Sequence, residues 1–288
     1  MQPAMTARDH ARAIVAGRSL DAKLVPPPEE PVLGEPGAHE PERWDAPGRP
    51  GELAIASGRD ARVPPLAGMR DPRQRARILH ALANHELQAI ELFAWAQLAF
   101  PDTPVAFRRG LLAILADEQR HFELYRDRLA SLGARFGDHP VTGHFWNKLD
   151  HLASPLGFVC TMCLTFENAN LDFAGDYAAA ARACGDLATA AAIDRVHADE
   201  IRHVHFGWVW LRRFTGAGDD TDSSGVGDGS AGGDMWQAYL RNVRPPLGPR
   251  RARGARFDRE ARRRAGLDEA FIDALAAIEP TRPSGEPR

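Results

Sequence analysis

Apolar residues recur every three or four positions over four long stretches of the chain, and strict alternation is nearly absent. That period predicts helices rather than strands. From Arg73 to Phe100 the repeat is Leu79, Leu82, Leu87, Ile90, Phe93 and Leu98. Asp71-Pro72 reads as its start, with Asp as N-cap and Pro at the first helical position. Pro101-Asp102-Thr103-Pro104 stops this helix and opens a second over 105–132, which carries Leu111, Leu115, Phe122, Tyr125 and Leu129. Gly133 suits the C′ position. A third helix is expected over 155–183 and is broken by Gly185-Asp186. A fourth is expected over 187–214, with Ile193, Val196, Val204, Trp208 and Leu211 in register.

The pattern fails between and around these stretches. Residues 1–20 suit one short amphipathic helix with Ala4, Ala11, Ile14 and Val15 on its apolar side. Residues 25–68 are rich in Pro and Gly, which excludes a regular helix or central strand and suggests an extended arm over the domain. Residues 215–234 hold Gly, Asp, Ser and Thr with almost nothing apolar, the composition of a flexible linker. Beyond it a helical turn is expected near Trp236–Leu240. One or two helices follow over 258–278, with Leu267, Phe271, Ile272 and Leu275 as docking residues. The expected fold is all-α, in four segments: 1–68, helix and arm; 69–214, a four-helix bundle; 215–234, linker; 235–288, an arginine-rich helical extension.

Four carboxylates interrupt the apolar stripes. Glu86 lies among Leu79, Leu82, Ile90 and Phe93; Glu118 among Leu111, Leu115 and Phe122. Glu167 falls in line with Cys160, Cys163, Leu164 and Leu171, and Glu200 with Ile193, Val196 and Val204. Uncompensated carboxylates facing a core are severely destabilising. The chain also repeats a phrase: Asp117-Glu118-Gln119-Arg120-His121 and Asp199-Glu200-Ile201-Arg202-His203. Glu and His three apart share a helix face. Each pair has a lone Glu one helical hairpin upstream, Glu86 and Glu167. Two single Glu and two Glu-x-x-His pairs, from four helices, are the ligand set of a dinuclear carboxylate centre.

In such a centre Glu118 and Glu200 bridge, Glu86 and Glu167 are terminal, and His121 and His203 each cap one ion. Four carboxylates balance two divalent cations. Oxygen with imidazole suits iron or manganese, so two Fe ions are expected, with Mn or a mixed pair equally compatible. Asp117 and Asp199 point to another side, where they could accept the second imidazole hydrogen; the alternative is a salt bridge to Arg120 or Arg202. His197 precedes Glu200 by three and reads as a buried histidine, an extra ligand or a supporting donor. Glu91 competes with Glu86, but its stripe through Leu87 and Trp95 faces elsewhere. Cys160-x-x-Cys163 lacks the second pair of a zinc site and reads as core packing.

Composition narrows the remaining choices. The chain has 288 residues, 44% of them hydrophobic, and a net charge of −3 that favours neither nucleic acid nor an acidic substrate. Arginines crowd the stretch from Arg250 to Arg264 and read as partners of acidic helix faces rather than an RNA contact. With 3 Cys there is no disulfide framework, so a reducing compartment is expected. The N-terminus lacks an apolar signal core, and no apolar run approaches the ~18 residues of a spanning helix. The expectation is a cytoplasmic protein without a membrane partner. No flavin or nicotinamide fingerprint is visible, so electrons would come from a separate donor.

The phrases HELQAIEL (85–92), DEQRHF (117–122), LGARFGDHP (132–140), LTFENANLD (164–172) and DEIRHV (199–204) resemble the ferritin-like superfamily. More narrowly they resemble a bacterial domain-of-unknown-function branch of it, as do Gly48-Arg49-Pro50 and the tail ARFDREARRRAGLDEAFI. The resemblance implies a ferritin-like four-helix bundle with a di-iron centre. It also implies an O2-activating oxidase or monooxygenase acting on a small organic substrate. A ferroxidase or iron-handling protein, a tRNA-modifying hydroxylase and a metal-stabilised binding protein are the alternatives, and a homodimer is compatible with each.

Overall fold

The computed structural model describes residues 5–57, 61–217 and 234–280 of the chain. The fold is all-α, with one short pair of strands among the described residues. Contacts divide it into two units, Met1–Leu149 with Ala180–Ala192, and Asp150–Ala179 with Ile193–Arg288.

In the first unit α1 (Ala7–Ala16) and α2 (Leu20–Lys23) replace the single helix expected over 1–20. Thr6 and Ser19 cap them, accepting from the N–H groups of Asp9 and Ala22. Gly17 sits at the break, where a Cβ would come within 2.7 Å of both the Ala13 carbonyl and Ala22. Ala11, Ile14 and Val15 are buried as expected; Ala4 lies outside the described residues. After the arm come β1 (Ile55–Ala56), α3 (Pro72–Ala99), α4 (Val105–Ser131) and β2 (Val141–Thr142), which pairs in parallel with β1. The Asp71 carboxylate caps α3 by accepting the Gln74 N–H at 2.9 Å. Gly133, at φ +74°, ends α4, and the Ala134 N–H returns to the Leu129 carbonyl at 3.0 Å. Helices α3 and α4 pack along one another, as a short connection between two amphipathic helices requires.

The arm is extended and pinned to α3. Glu42 N–H donates to the Leu98 carbonyl at 2.9 Å, and the Trp95 indole donates to the Trp44 carbonyl at 3.0 Å. Its strongest tie is Arg49, whose Nη2 lies 2.7 Å from Glu91 Oε2. Glu91 is wholly buried, with Lys23 Nζ at 3.2 Å and the Trp146 indole at 2.8 Å as further partners. Burial lowers the Lys23 pKa, and the Glu91 charge opposes that shift.

The second unit begins with α5 (Pro155–Phe158), capped by Ser154 through the Gly157 N–H at 3.0 Å. The chain then widens into a π-helix over Val159–Glu167 before narrowing to α6 (Asn168–Ala183). Helix α7 (Leu187–Phe214) follows the break at Gly185, whose φ is +82°. Gly207 lets α7 approach the π-helix closely, since a Cβ there would lie 2.4 Å from that of Cys163.

The expected linker falls almost entirely on residues 218–233, outside the described residues. Beyond them α8 (Met235–Asn242) packs on the π-helix, followed by α9 (Arg259–Arg264) and α10 (Glu269–Ala276). The arginine-rich stretch supplies ion pairs here. Fully buried Arg262 bonds both oxygens of Asp172, at 2.8 and 3.0 Å, and its guanidinium lies 3.9 Å from the Phe257 ring centroid. Arg259 pairs with Asp273 and Arg263 with Glu269. No helix among the described residues is long and apolar enough to cross a membrane.

Candidate metal centre

Each unit gathers one buried triplet of donors. In the first, Glu86 comes from α3 and Glu118 and His121 from α4. Ligand atoms of the three lie within 4.8 Å of one another. His121 Nδ1 is 3.7 Å from Glu86 Oε2 and 3.6 Å from Glu118 Oε2. In the second, Glu167 closes the π-helix, and Glu200 and His203 come from α7. His203 Nδ1 is 3.4 Å from Glu200 Oε2 and 4.0 Å from Glu167 Oε1. Both histidines are completely buried. The i,i+3 spacing sets imidazole beside carboxylate in both units, and each upstream Glu faces the same nitrogen.

The donor set fits a cation in each case. Two donors each about 2.1 Å from one divalent ion stand roughly 3 to 3.6 Å apart, close to the shorter separations here. Burial and the adjacent Glu118 carboxylate push the Glu86 pKa well above the usual carboxylate range, which His121 only partly offsets. A cation relieves the same cost without a proton. The nearby sulfurs are held neutral: burial raises the Cys160 thiol to about 12. Burial and then the Glu167 charge also raise the Cys163 thiol. The donors that gather in each triplet are carboxylate oxygen and imidazole nitrogen, a set suited to iron or manganese.

The neighbouring residues divide. Asp117 pairs with Arg120, and Asp199 with Arg202 at 2.7 Å and Arg195 at 3.7 Å. His197 Nε2 bonds the Leu171 carbonyl at 3.1 Å and stands 4.0 Å from Asp258 Oδ2, at the surface side of α7. Glu91 belongs to the Lys23–Arg49 cluster, as its separate stripe implied. Sequence reasoning missed Asn170, whose amide donates to Glu200 Oε1 at 2.7 Å. A signal existed in LTFENANLD, because Asn is a poor choice inside a helix unless its side chain has a partner.

An all-α chain with buried Glu and Glu-x-x-His sets is thus one whose side chains can hold metal ions. It belongs to the family described as "Protein of unknown function (DUF455)", which it matches over residues 4–273. Comparison with curated proteins and with solved structures finds no match to this chain.

Proposed function

We propose that the two triplets act as one dinuclear centre in a ferritin-like four-helix arrangement, and that the chain uses it to oxidise a small organic molecule with O2. In this reading Glu86, Glu118 and His121 would hold one ion and Glu167, Glu200 and His203 the other, with Glu118 and Glu200 the carboxylates that both ions would share. The observation that carries it is the duplication. The same donors recur at the same spacing, buried in both units, with Nδ1 facing both carboxylates. One such triplet is common chemistry; two, with four carboxylates in all, match two divalent cations in charge.

A bound iron pair would supply O2 binding and the electrons for its reduction. The chain's own part is to keep four carboxylates ionised, to orient them and to exclude water. Asn170 holds Glu200 in one orientation, and the π-helix sets the position of Glu167 at its end. Phe122, Leu115, Leu164 and Val204 are fully buried on the ligand-bearing helices and keep those helix faces dry. Supporting roles for Asp117, Asp199 and His197 belong to the same proposal. Electrons would arrive from an external reductase, and the ion-paired arginines of the extension leave RNA modification the weaker reading.

The test is anaerobic loading with Fe(II), followed by metal analysis and O2 uptake in the presence of a chemical reductant. About two iron ions per chain and sustained O2 consumption are expected, both lost in Glu118→Ala and Glu200→Ala. Binding of one ion or none, or O2 uptake unchanged in Glu118→Ala, would overturn the proposal. Uptake that stops once the bound iron is oxidised, despite excess reductant, would instead indicate iron handling.

A further inference from the structure

The first unit contains a second polar recess, which the metal triplet does not use. It is a cleft of about 50 Å³ lined by one face of α3 (Arg77, His80, Ala81, Asn84, His85), by 61–63 of the arm, and by His139, Pro140 and Thr142 around β2. At about 10 to 15 Å³ for each water-sized group, it takes roughly three to five heavy atoms. Its chemistry is one-sided. Arg62, Arg77, His80, His85, His139 and Asn84 can all donate hydrogen bonds, and no carboxylate is among the lining residues.

Two details decide between an anion and a metal ion. His80 is buried, and its Nε2 accepts the Gly137 N–H at 3.0 Å, so the ring proton sits on Nδ1. That nitrogen is a donor, and the acceptor a metal would need is already used. The Asn84 amide is likewise committed, its Nδ2 donating to the Thr142 carbonyl at 3.0 Å, which fixes the wall. Among the described residues, the groups able to gather three ligand atoms around a metal ion do not include these histidines. His80 and His139 meet edge to face, with ring centroids 5.3 Å apart, so the two imidazoles stand side by side on the cleft wall. Arg77 reaches across to the Arg62 carbonyl at 3.0 Å and so ties the arm over the cleft.

We infer that this cleft binds a small oxyanion, of phosphate or carboxylate type, held by Arg62, Arg77 and His139 at its rim and His80 at its floor. Planar guanidinium forks and imidazole N–H groups match the oxygens of such an ion, and its four or five heavy atoms match the volume.

The test uses the full chain and inorganic phosphate, with acetate as the carboxylate arm. Calorimetric titration is paired with the imidazole 15N resonances of His80 and His139. Saturable binding that shifts both resonances is expected, weakened about tenfold by Arg62→Gln and by His139→Gln, the loss of one charged or imidazole hydrogen bond. Response to phosphate alone or to acetate alone would identify the oxyanion. Both variants change rim groups, and an unchanged unfolding temperature would show that the loss is local. Absence of saturable binding of either ion would overturn the inference. So would binding unaffected by both variants, or Zn2+ binding that His139→Gln removes while neither anion binds.

Discussion

Three glutamates of the first unit show how the same side chain takes different states from its surroundings. Glu91 and Glu86 lie on α3, both buried. Glu91 is neutralised by Lys23 and Arg49 and is part of the structure. Glu86 is buried beside a second carboxylate, and both raise its pKa, which the His121 imidazole only partly offsets. Helical periodicity places them on different faces, and their partners differ accordingly. What it could not show was that Arg49, far away in a proline-rich stretch, would reach Glu91. Glu42, on the arm, is the third case. Arg12, with Nη2 at 2.7 Å, together with Trp44 and Arg8, outweighs partial burial and lowers its pKa to about 2. The folded state thus releases this proton more readily than the unfolded chain. As pH falls, the unfolded state binds the proton first, near the ordinary glutamate value of 4.5. The stabilisation is complete above that pH and is lost as pH falls toward about 2. Glu42→Gln should remove that part of the acid slope and, because the pair is partly exposed and screened by solvent, cost only about 1 kcal/mol at neutral pH. Denaturant titrations across the window would check it; an unchanged slope would mean the arm's ion pairs are not coupled to folding.

At the scale of elements, the long helices were legible because their stripes are one-sided and their ends carry Asp-Pro, Gly and Pro signals. Helices α3, α4 and α7 begin and end within a residue or so of the expected limits. The π-helix was not legible. Its sequence, VCTMCLTFE, is apolar nearly all round, so burial gives no period from which a widened turn could be read. Its support comes from afar: Thr165 Oγ1 donates to the Cys160 carbonyl at 2.8 Å and meets the Tyr239 hydroxyl of α8 at 2.7 Å. Tyr239 is completely buried, and burial raises its pKa, so it stays a neutral hydroxyl. If this pair sets the widened turn, it also sets where Glu167 stands. Tyr239→Phe keeps the ring and removes the bond. We expect metal affinity about tenfold weaker, the effect of displacing a support behind a ligand, with helix content unchanged by circular dichroism. Thr165→Val should act alike. Full affinity in both variants would show that α6 and α7 alone fix Glu167.

For the whole molecule, the division into two units gives the dinuclear proposal a consequence that no single triplet has. Cations that take ligands from both units stabilise the pair jointly, whereas cations held within one triplet stabilise that unit alone. A ligand that binds only the folded state adds about 2.7 kcal/mol at a hundredfold excess over its Kd. For a chain of this size that is a rise of several degrees in unfolding temperature. Removal of metal by a chelator should therefore lower the unfolding temperature by several degrees. It should also speed amide exchange both around Glu86, Glu118 and His121 on α3 and α4 and around Glu200 and His203 on α7. Glu118→Ala, which alters a ligand in the first unit only, should reproduce the faster exchange on α7. Protection lost on α3 and α4 but retained on α7 would mean that each unit holds its ion separately, and the shared centre would have to be abandoned even if metal binding itself were found.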